Sequence, residues 1–233
     1  MSTATSTLPR RAGSKADSAG PGRGWAYAGV AAGLSGILAI GASLSVSAVY
    51  EEENLGNAEK IVASLKDATG NLIAFHTFTM LACVTLLVFA AGIRRRLGEQ
   101  TRAGSILPDV AAAGLLLASV AGLMGSALDT EFIFGVNAPK GELVPEVGAL
   151  YGHWVGTVPW LWVGAGVAGV AIAVAVFKQA AAPRWIGWVG AILGGLTLVA
   201  GISPLQYMAG FTGPILVFVI ALGFAFGDRD ELS

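Results

Sequence analysis

The chain has 233 residues, of which 55% are hydrophobic and 12% are charged, and its mean hydropathy is +0.70. Soluble domains carry about 25% charged residues, so this composition excludes an ordinary soluble domain and indicates an integral membrane protein. The net charge of −1 gives no reason to expect a nucleic-acid partner, and the single cysteine, Cys83, excludes an intramolecular disulfide.

The predicted elements begin with residues 1–23, which are rich in Ser, Thr, Gly, Ala and Pro and are expected to form a disordered, basic cytoplasmic tail. Residues 24–228 contain apolar stretches that are nearly free of charge, each of about twenty residues and therefore long enough to cross a bilayer. The fold class is predicted to be all-α, a polytopic membrane protein with six transmembrane helices. The predicted spans are 25–49, 72–93, 108–127, 154–177, 185–202 and 207–226, and residues 229–233 form a short cytoplasmic tail.

The distribution of basic residues predicts the orientation of the chain. With both termini in the cytoplasm, inner segments hold eleven Lys and Arg residues and outer segments hold three, which is the bias expected of membrane proteins. A cleaved signal peptide is the alternative for the first span, but its apolar run is longer than the 7–15 residues of a signal core, which favours an uncleaved anchor.

Both longer outer loops are predicted to carry structure. In the first, Asn57 is expected to cap a short helix that Gly70 ends. In the second, residues 128–153 mix acidic and aromatic side chains, and we expect this loop to fold back over the bundle. The apolar face of the first-loop helix, expected on the membrane surface, comprises Ile61, Val62 and Leu65.

Small residues recur four apart on several predicted spans, which places them on one helix face where helices approach closely in lipid. Packing within one bundle is the favoured interpretation, and the alternatives are a homo-oligomer or membrane-protein contact, or a ligand groove. The sets are Gly29 and Gly33; Gly114, Ala118, Gly122 and Ser126; and Gly187, Ala191 and Gly195.

Candidate metal ligands lie near the outer side of the predicted bundle. His76, Met80 and Cys83 fall on one face of the second span, and His153 lies at the outer start of the fourth. We identify His76, Met80 and His153 as candidate ligands, because imidazole and thioether suit copper and two histidines could be axial haem ligands. The alternative is that Met and Cys fill apolar space and that each histidine is simply hydrogen-bonded. Asp129 lies just beyond the third span.

Other chemistry is not indicated. Apart from their margins, the spans contain no ionisable acid or base, which argues against ion-coupled transport. No phosphate-binding loop, dinucleotide fingerprint or HExxH motif is present, so an enzyme is not expected.

The segment APRWIGWVG at residues 182–190, followed by a glycine-rich span, a short hairpin and a last span, resembles uncharacterised six-helix bacterial integral membrane proteins, a domain-of-unknown-function family. A long acidic first outer loop and an arginine cluster after the second span are similar too. The resemblance implies a six-helix fold and the bacterial plasma (inner) membrane, and it implies no active-site residues.

These observations lead to an expected function and two alternatives. The expectation is a non-enzymatic, partner-binding or envelope-associated membrane protein that acts through its outer loops. The first alternative is a copper- or haem-binding redox protein, and the second is a passive carrier of a hydrophobic small molecule along the glycine stripes.

Overall fold

The computed structural model describes residues 22–139 and 142–227, and within these ranges the regular secondary structure is all helical, without a β-strand. Most of the predicted N-terminal tail and all of the predicted C-terminal tail lie outside the described residues. The helices are α1 (Gly24–Leu44), α2 (Ala58–Asp67), α3 (Thr69–Gln100), α4 (Leu107–Gly125), α5 (Asp129–Asn137), α6 (Pro145–Thr157), α7 (Val163–Gln179), α8 (Arg184–Ile202) and α9 (Ala209–Leu222).

Five helical segments are long and apolar enough to cross a membrane, and α7 is apolar but shorter. Each of the five overlaps one predicted span, because a run of apolar residues is a local property of the sequence. The five segments are Gly24–Leu44, Thr69–Gln100, Leu107–Asn137, Arg184–Ile202 and Gln206–Gly227.

The long helices form a closed ring around one apolar core. Going round the ring, α1 packs on α3, α3 on α4, α4 on α7, α7 on α8 and α8 on α9, and α9 returns to α1. The core between them includes Leu86, Phe89, Ile172 and Leu216, all buried. The first and last of the described helices are therefore neighbours.

Glycines allow the close approaches inside this ring. A methyl group at Gly33 would collide with the backbone of Phe218, and one at Gly122 would collide with the sulfur of Cys83. The face of α8 that packs on α7 carries Gly190 and Gly194, whereas Gly195 meets open space. The predicted small-residue faces are thus largely occupied within the chain, and the face of α8 that packs on α7 includes Gly187 of the predicted set but not Gly195.

The fourth predicted span differs from the continuous helix expected over 154–177. Helix α6 ends at Thr157, a 3-10 turn covers Val158–Trp162, and α7 begins at Val163. Pro159 has no amide hydrogen and therefore cannot continue the α-helical hydrogen bonding. The first helix also ends at Leu44 rather than at residue 49, and the residues that follow it pack into a second core.

This second core belongs to a cap that covers one end of the ring. We use the name cap for α2, α5, α6 and the segment 45–57. Asn57 caps α2 as predicted, since its side chain accepts a hydrogen bond from the Lys60 amide at 3.0 Å. The helix ends at Asp67 rather than at Gly70. Its apolar face packs against α6 instead of lying on the membrane surface, because Leu65 joins Val49 and Val155 in the core of the cap.

Candidate functional site

A buried polar network joins the cap to the ring. The carboxylate of Asp129, at the start of α5, has one oxygen 3.2 Å from Nδ1 of His76 on α3. Its other oxygen accepts a hydrogen bond from the Tyr151 hydroxyl of α6, also at 3.2 Å. Asp129 is fully buried, whereas the His76 side chain is 30% exposed. Three helices are therefore tied through one carboxylate.

Local structure explains why a carboxylate is tolerated at this place. Asp129 lies in the first turn of α5, where the free amide groups and the helix dipole favour a negative charge. The buried hydroxyl of Ser126 lies beside the same carboxylate, but its oxygen is outside hydrogen-bond geometry with any described residue. The carboxylate is thus held chiefly by His76 and Tyr151.

Tyr151 is the donor of this network. Its ring stacks on Phe132, with centroids 4.6 Å apart and planes 5° from parallel. Burial, together with the charge of Asp129, raises the pKa of Tyr151 well above its usual range. The phenol therefore keeps its proton and donates a hydrogen bond to the Asp129 carboxylate.

The arrangement determines the roles of the two His76 nitrogens. Because the carboxylate is an acceptor, Nδ1 of His76 carries the proton that points toward Asp129. Within the described ranges the other nitrogen, Nε2, makes no hydrogen bond, and in metal sites it is this second nitrogen that binds the ion while the first faces a carboxylate. The network thus serves as an anchor for the cap and leaves one imidazole nitrogen available.

Further hydrogen bonds fix the cap on the ring. Trp154 of α6 donates its indole N–H to the carbonyl of Gly125, at the end of α4, over 2.6 Å. Ser43 of α1 donates to the carbonyl of Val155 over 3.0 Å. With the Asp129 network, these bonds join α6 to α1, α4 and α5.

The three predicted metal ligands differ in their burial and in the residues that they contact. Met80 lies one turn beyond His76 and is half-buried, whereas His153 is exposed and packs the edge of its ring against Tyr50, with centroids 5.9 Å apart. Within the described ranges, no group of three His, Cys, Asp or Glu residues is arranged to hold a metal ion. A copper or haem site at His76, Met80 and His153 stays a prediction.

The cavities between the ring helices and beside the cap are small within the described ranges. One of about 20 Å³ lies between the ring helices beside Cys83 and Thr79, and the buried Thr79 hydroxyl has no hydrogen-bond partner among the described residues. This volume fits about one water molecule. A groove of about 150 Å³ lies beside Met124 and Trp154. Ligand pockets usually measure about 300–1,000 Å³.

The sequence analysis predicted neither the pairing of His76 with Asp129 nor the hydrogen bond that Tyr151 donates to Asp129. Asp129 could be noted as an acidic residue at the end of a span, but 53 residues separate it from His76. Tyr151 lies in a stretch that reads as an outer loop. The only local signal was an acidic residue at a helix start, close in depth to the single histidine of the second span.

Comparison with known proteins adds no relative: no family model, curated protein or solved structure matches the chain. The resemblance to six-helix bacterial membrane proteins therefore stays a prediction. What this site does must follow from its own geometry, which is that of a cap anchored to a membrane-type helical ring by a buried His–Asp–Tyr network.

Proposed function

We propose that the protein is a six-span protein of a bacterial plasma membrane, with both termini in the cytoplasm, and that its outward-facing cap binds a partner without catalysing a reaction. The bias of eleven inner against three outer basic residues supports this orientation. Helix α7 has 17 residues, about 26 Å at 1.5 Å per residue. The 3-10 turn before it supplies the remaining length of a sixth span.

The folded state of the cap carries this proposal. Its segments share one core, and the Asp129 carboxylate links α5 and α6 to the ring. A surface that is ordered before binding loses little conformational entropy when a partner docks, which favours recognition. Loops that served only to connect spans would have no need of a common core.

The surface of the cap indicates what kind of partner it fits. Phe134 is 73% exposed and Leu55 is 64% exposed, so large apolar side chains are available for contact. The exposed carboxylates of the cap are Glu52, Glu53, Glu59, Asp67, Glu131 and Glu146. Exposed lysines at positions 60 and 66 offset them only in part. The chemistry fits a protein surface with apolar side chains and a basic rim.

Photo-crosslinking in intact cells tests this proposal. A photoreactive phenylalanine analogue replaces Phe134 or Leu55 on the cap, and a matched control replaces Ile106, which is 70% exposed at the opposite end of the ring. The cap positions are expected to give a discrete crosslinked protein band that a Glu131→Lys or Glu146→Lys substitution weakens. Two results would contradict partner binding by the cap. One is a crosslinking yield at the cap positions no higher than at Ile106, and the other is a band whose intensity neither charge reversal changes.

A copper-binding role is the second candidate, and one contact favours it. Histidines that bind metals usually donate their other ring N–H to a carboxylate, which is the relation of His76 to Asp129. Met80 lies one turn away on the same helix face. Metal analysis and absorption spectra of the purified wild type and of His76→Ala test this role, after copper and haem are supplied during expression. Copper or a haem band that the substitution removes would support it, and a metal-free, colourless wild type would exclude it.

Passive transport of a hydrophobic molecule has less support. The cavity between the ring helices holds about one water molecule. Apart from Gly195, the glycines that would line a path are packed against neighbouring helices. The cap is therefore the better candidate for the functional surface.

A further inference from the structure

The end of α3 that lies away from the cap borders a cleft of about 570 Å³, and three arginines line it. These are Arg94, Arg95 and Arg102, and the loop 101–106 forms one wall. We propose that this cleft binds the phosphate of an anionic phospholipid. The site lies at the opposite end of the ring from the cap and is independent of any partner that the cap binds.

The length of α3 brings the cleft to the level of the lipid headgroups. The helix has 32 residues, about 48 Å at 1.5 Å per residue, while the hydrocarbon core of a bilayer is about 30 Å thick. Its apolar run ends at Ile93, so Arg94 and the two turns after it extend beyond the hydrocarbon. Ile106, beside the cleft, is exposed, as suits a side chain that inserts among acyl chains.

The charges of the cleft favour an anion. Arg94 donates through Nε to Asp109 over 2.6 Å, which fixes its guanidinium and leaves the two terminal nitrogens for a ligand. The side chains of Arg95 and Arg102 make no ion pair with any residue in the described ranges. Three arginines face two carboxylates, those of Asp109 and Glu99, so the lining carries one net positive charge. The planar fork of arginine matches phosphate oxygens.

The loop of the cleft is held in place before any ligand binds. Gln179, at the end of α7, accepts a hydrogen bond from the Arg102 amide at 2.7 Å and donates to the Ser105 hydroxyl at 3.3 Å. Gly104 has a φ of +80°, a backbone conformation that glycine adopts readily. The start of α4 borders the same cleft, and its dipole adds to the positive potential of the arginines.

A lipid is the occupant that fits best. The cleft is at the membrane interface, beside an exposed isoleucine, where lipid phosphates are concentrated and soluble phosphates are not. Basic pockets between membrane helices are a known way of binding acidic headgroups. A headgroup with net negative charge is preferred over a zwitterionic one, because the choline or ethanolamine cation would meet the arginines.

The thermal unfolding midpoint of the purified, delipidated full-length protein tests the proposal. Added phosphatidylglycerol is expected to raise the midpoint by about 5 °C, as a ligand that binds only the folded state does. Phosphatidylcholine is expected to raise it by less than half as much. The double variant R95Q/R102Q should lose most of the phosphatidylglycerol shift, and the matched control R184Q, at the start of α8 and outside the cleft, should keep it.

Three outcomes overturn the proposal. They are equal shifts with the two lipids, a full shift in R95Q/R102Q, and a full shift with sodium phosphate alone, which would assign the cleft to a soluble phosphate. If the double variant fails to fold, the single variants R95Q and R102Q replace it, since both side chains are exposed. A lipid shift that neither single substitution reduces would then also reject the site.

Discussion

Asp129 and His76 are 53 residues apart in the sequence, yet a carboxylate oxygen of the one lies 3.2 Å from a ring nitrogen of the other. The contact joins the start of α5 to the first turns of α3. With the Tyr151 hydroxyl on the second carboxylate oxygen, it makes Asp129 the point where the cap is attached to the helices of the ring.

Replacing Asp129 with alanine is expected to lower the free energy of unfolding by about 2–4 kcal/mol, because His76 and Tyr151 both lose a buried charged partner. Asp109→Ala is the matched control, since it removes an Asp–Arg pair whose side chains are 66% and 63% exposed. The control substitution should lower the free energy of unfolding by no more than about 1 kcal/mol. Denaturant or thermal unfolding in detergent measures both, and equal losses would show that Asp129 does not anchor the cap.

Tyr151→Phe is expected to remove one hydrogen bond and keep the stack on Phe132, at a cost of about 1–2 kcal/mol near neutral pH. The variant also has a pH signature. Since the pKa of Tyr151 is raised in the folded protein, its contribution is complete below the unfolded tyrosine pKa of about 10 and declines as the pH rises above that value.

Unfolding measured from pH 8 to pH 11 should therefore show a steeper loss of stability above pH 10 in the wild type than in Tyr151→Phe. The difference between the two proteins isolates this residue, because the other tyrosines and lysines are common to both. Parallel stability curves above pH 10 would mean that Tyr151 ionises as freely in the folded protein as in the unfolded chain.

Gly33→Ala is expected to destabilise the bundle by about 1–3 kcal/mol, because the added methyl group would overlap the backbone of Phe218 and force α1 away from α9. Gly41→Ala on the same helix is the control, because the added methyl group would meet no atom within 4 Å. Replacing a helical glycine with alanine in open space should be neutral or stabilising, by up to about 1 kcal/mol. Unfolding midpoints compare the two variants, and equal effects would contradict the close packing of α1 on α9.

Cysteine labelling tests the proposed orientation. In intact cells a membrane-impermeant maleimide is expected to label Glu59→Cys on the cap, while Ala103→Cys at the other end reacts only after lysis. Both positions are exposed, and the native Cys83 is buried, so wild-type protein supplies the unlabelled background. Labelling of Ala103→Cys but not of Glu59→Cys in intact cells would reverse the orientation and move the cap to the cytoplasm.

Local features of this protein could be predicted from its sequence, and pairings across the chain could not. The Asn57 cap was predictable because the amide it binds lies three residues away, and apolar runs such as that of α3 were visible directly. Pro159 carries a local signal as well, since it marks the break in the fourth span, but the prediction of a continuous helix over 154–177 made no use of it.

The contents of the candidate site depend on tertiary structure. No pattern within α3 indicates that His76 meets a carboxylate from beyond the next span, and Tyr151 looks like any tyrosine in a polar loop. The cap itself follows the same rule. Leu65 was identified as apolar, but only the fold decides that α6 covers it instead of lipid.

The ring closes through the contact of α1 with α9, the first and last of the described helices. Synthesis runs from α1 towards α9, so the glycine face of α1 that packs on Phe218 exists before its partner does. The other ring helices can pack in pairs as they emerge, but the ring itself cannot close until α9 joins α1. Closure of the ring is therefore a late step in the assembly of this fold.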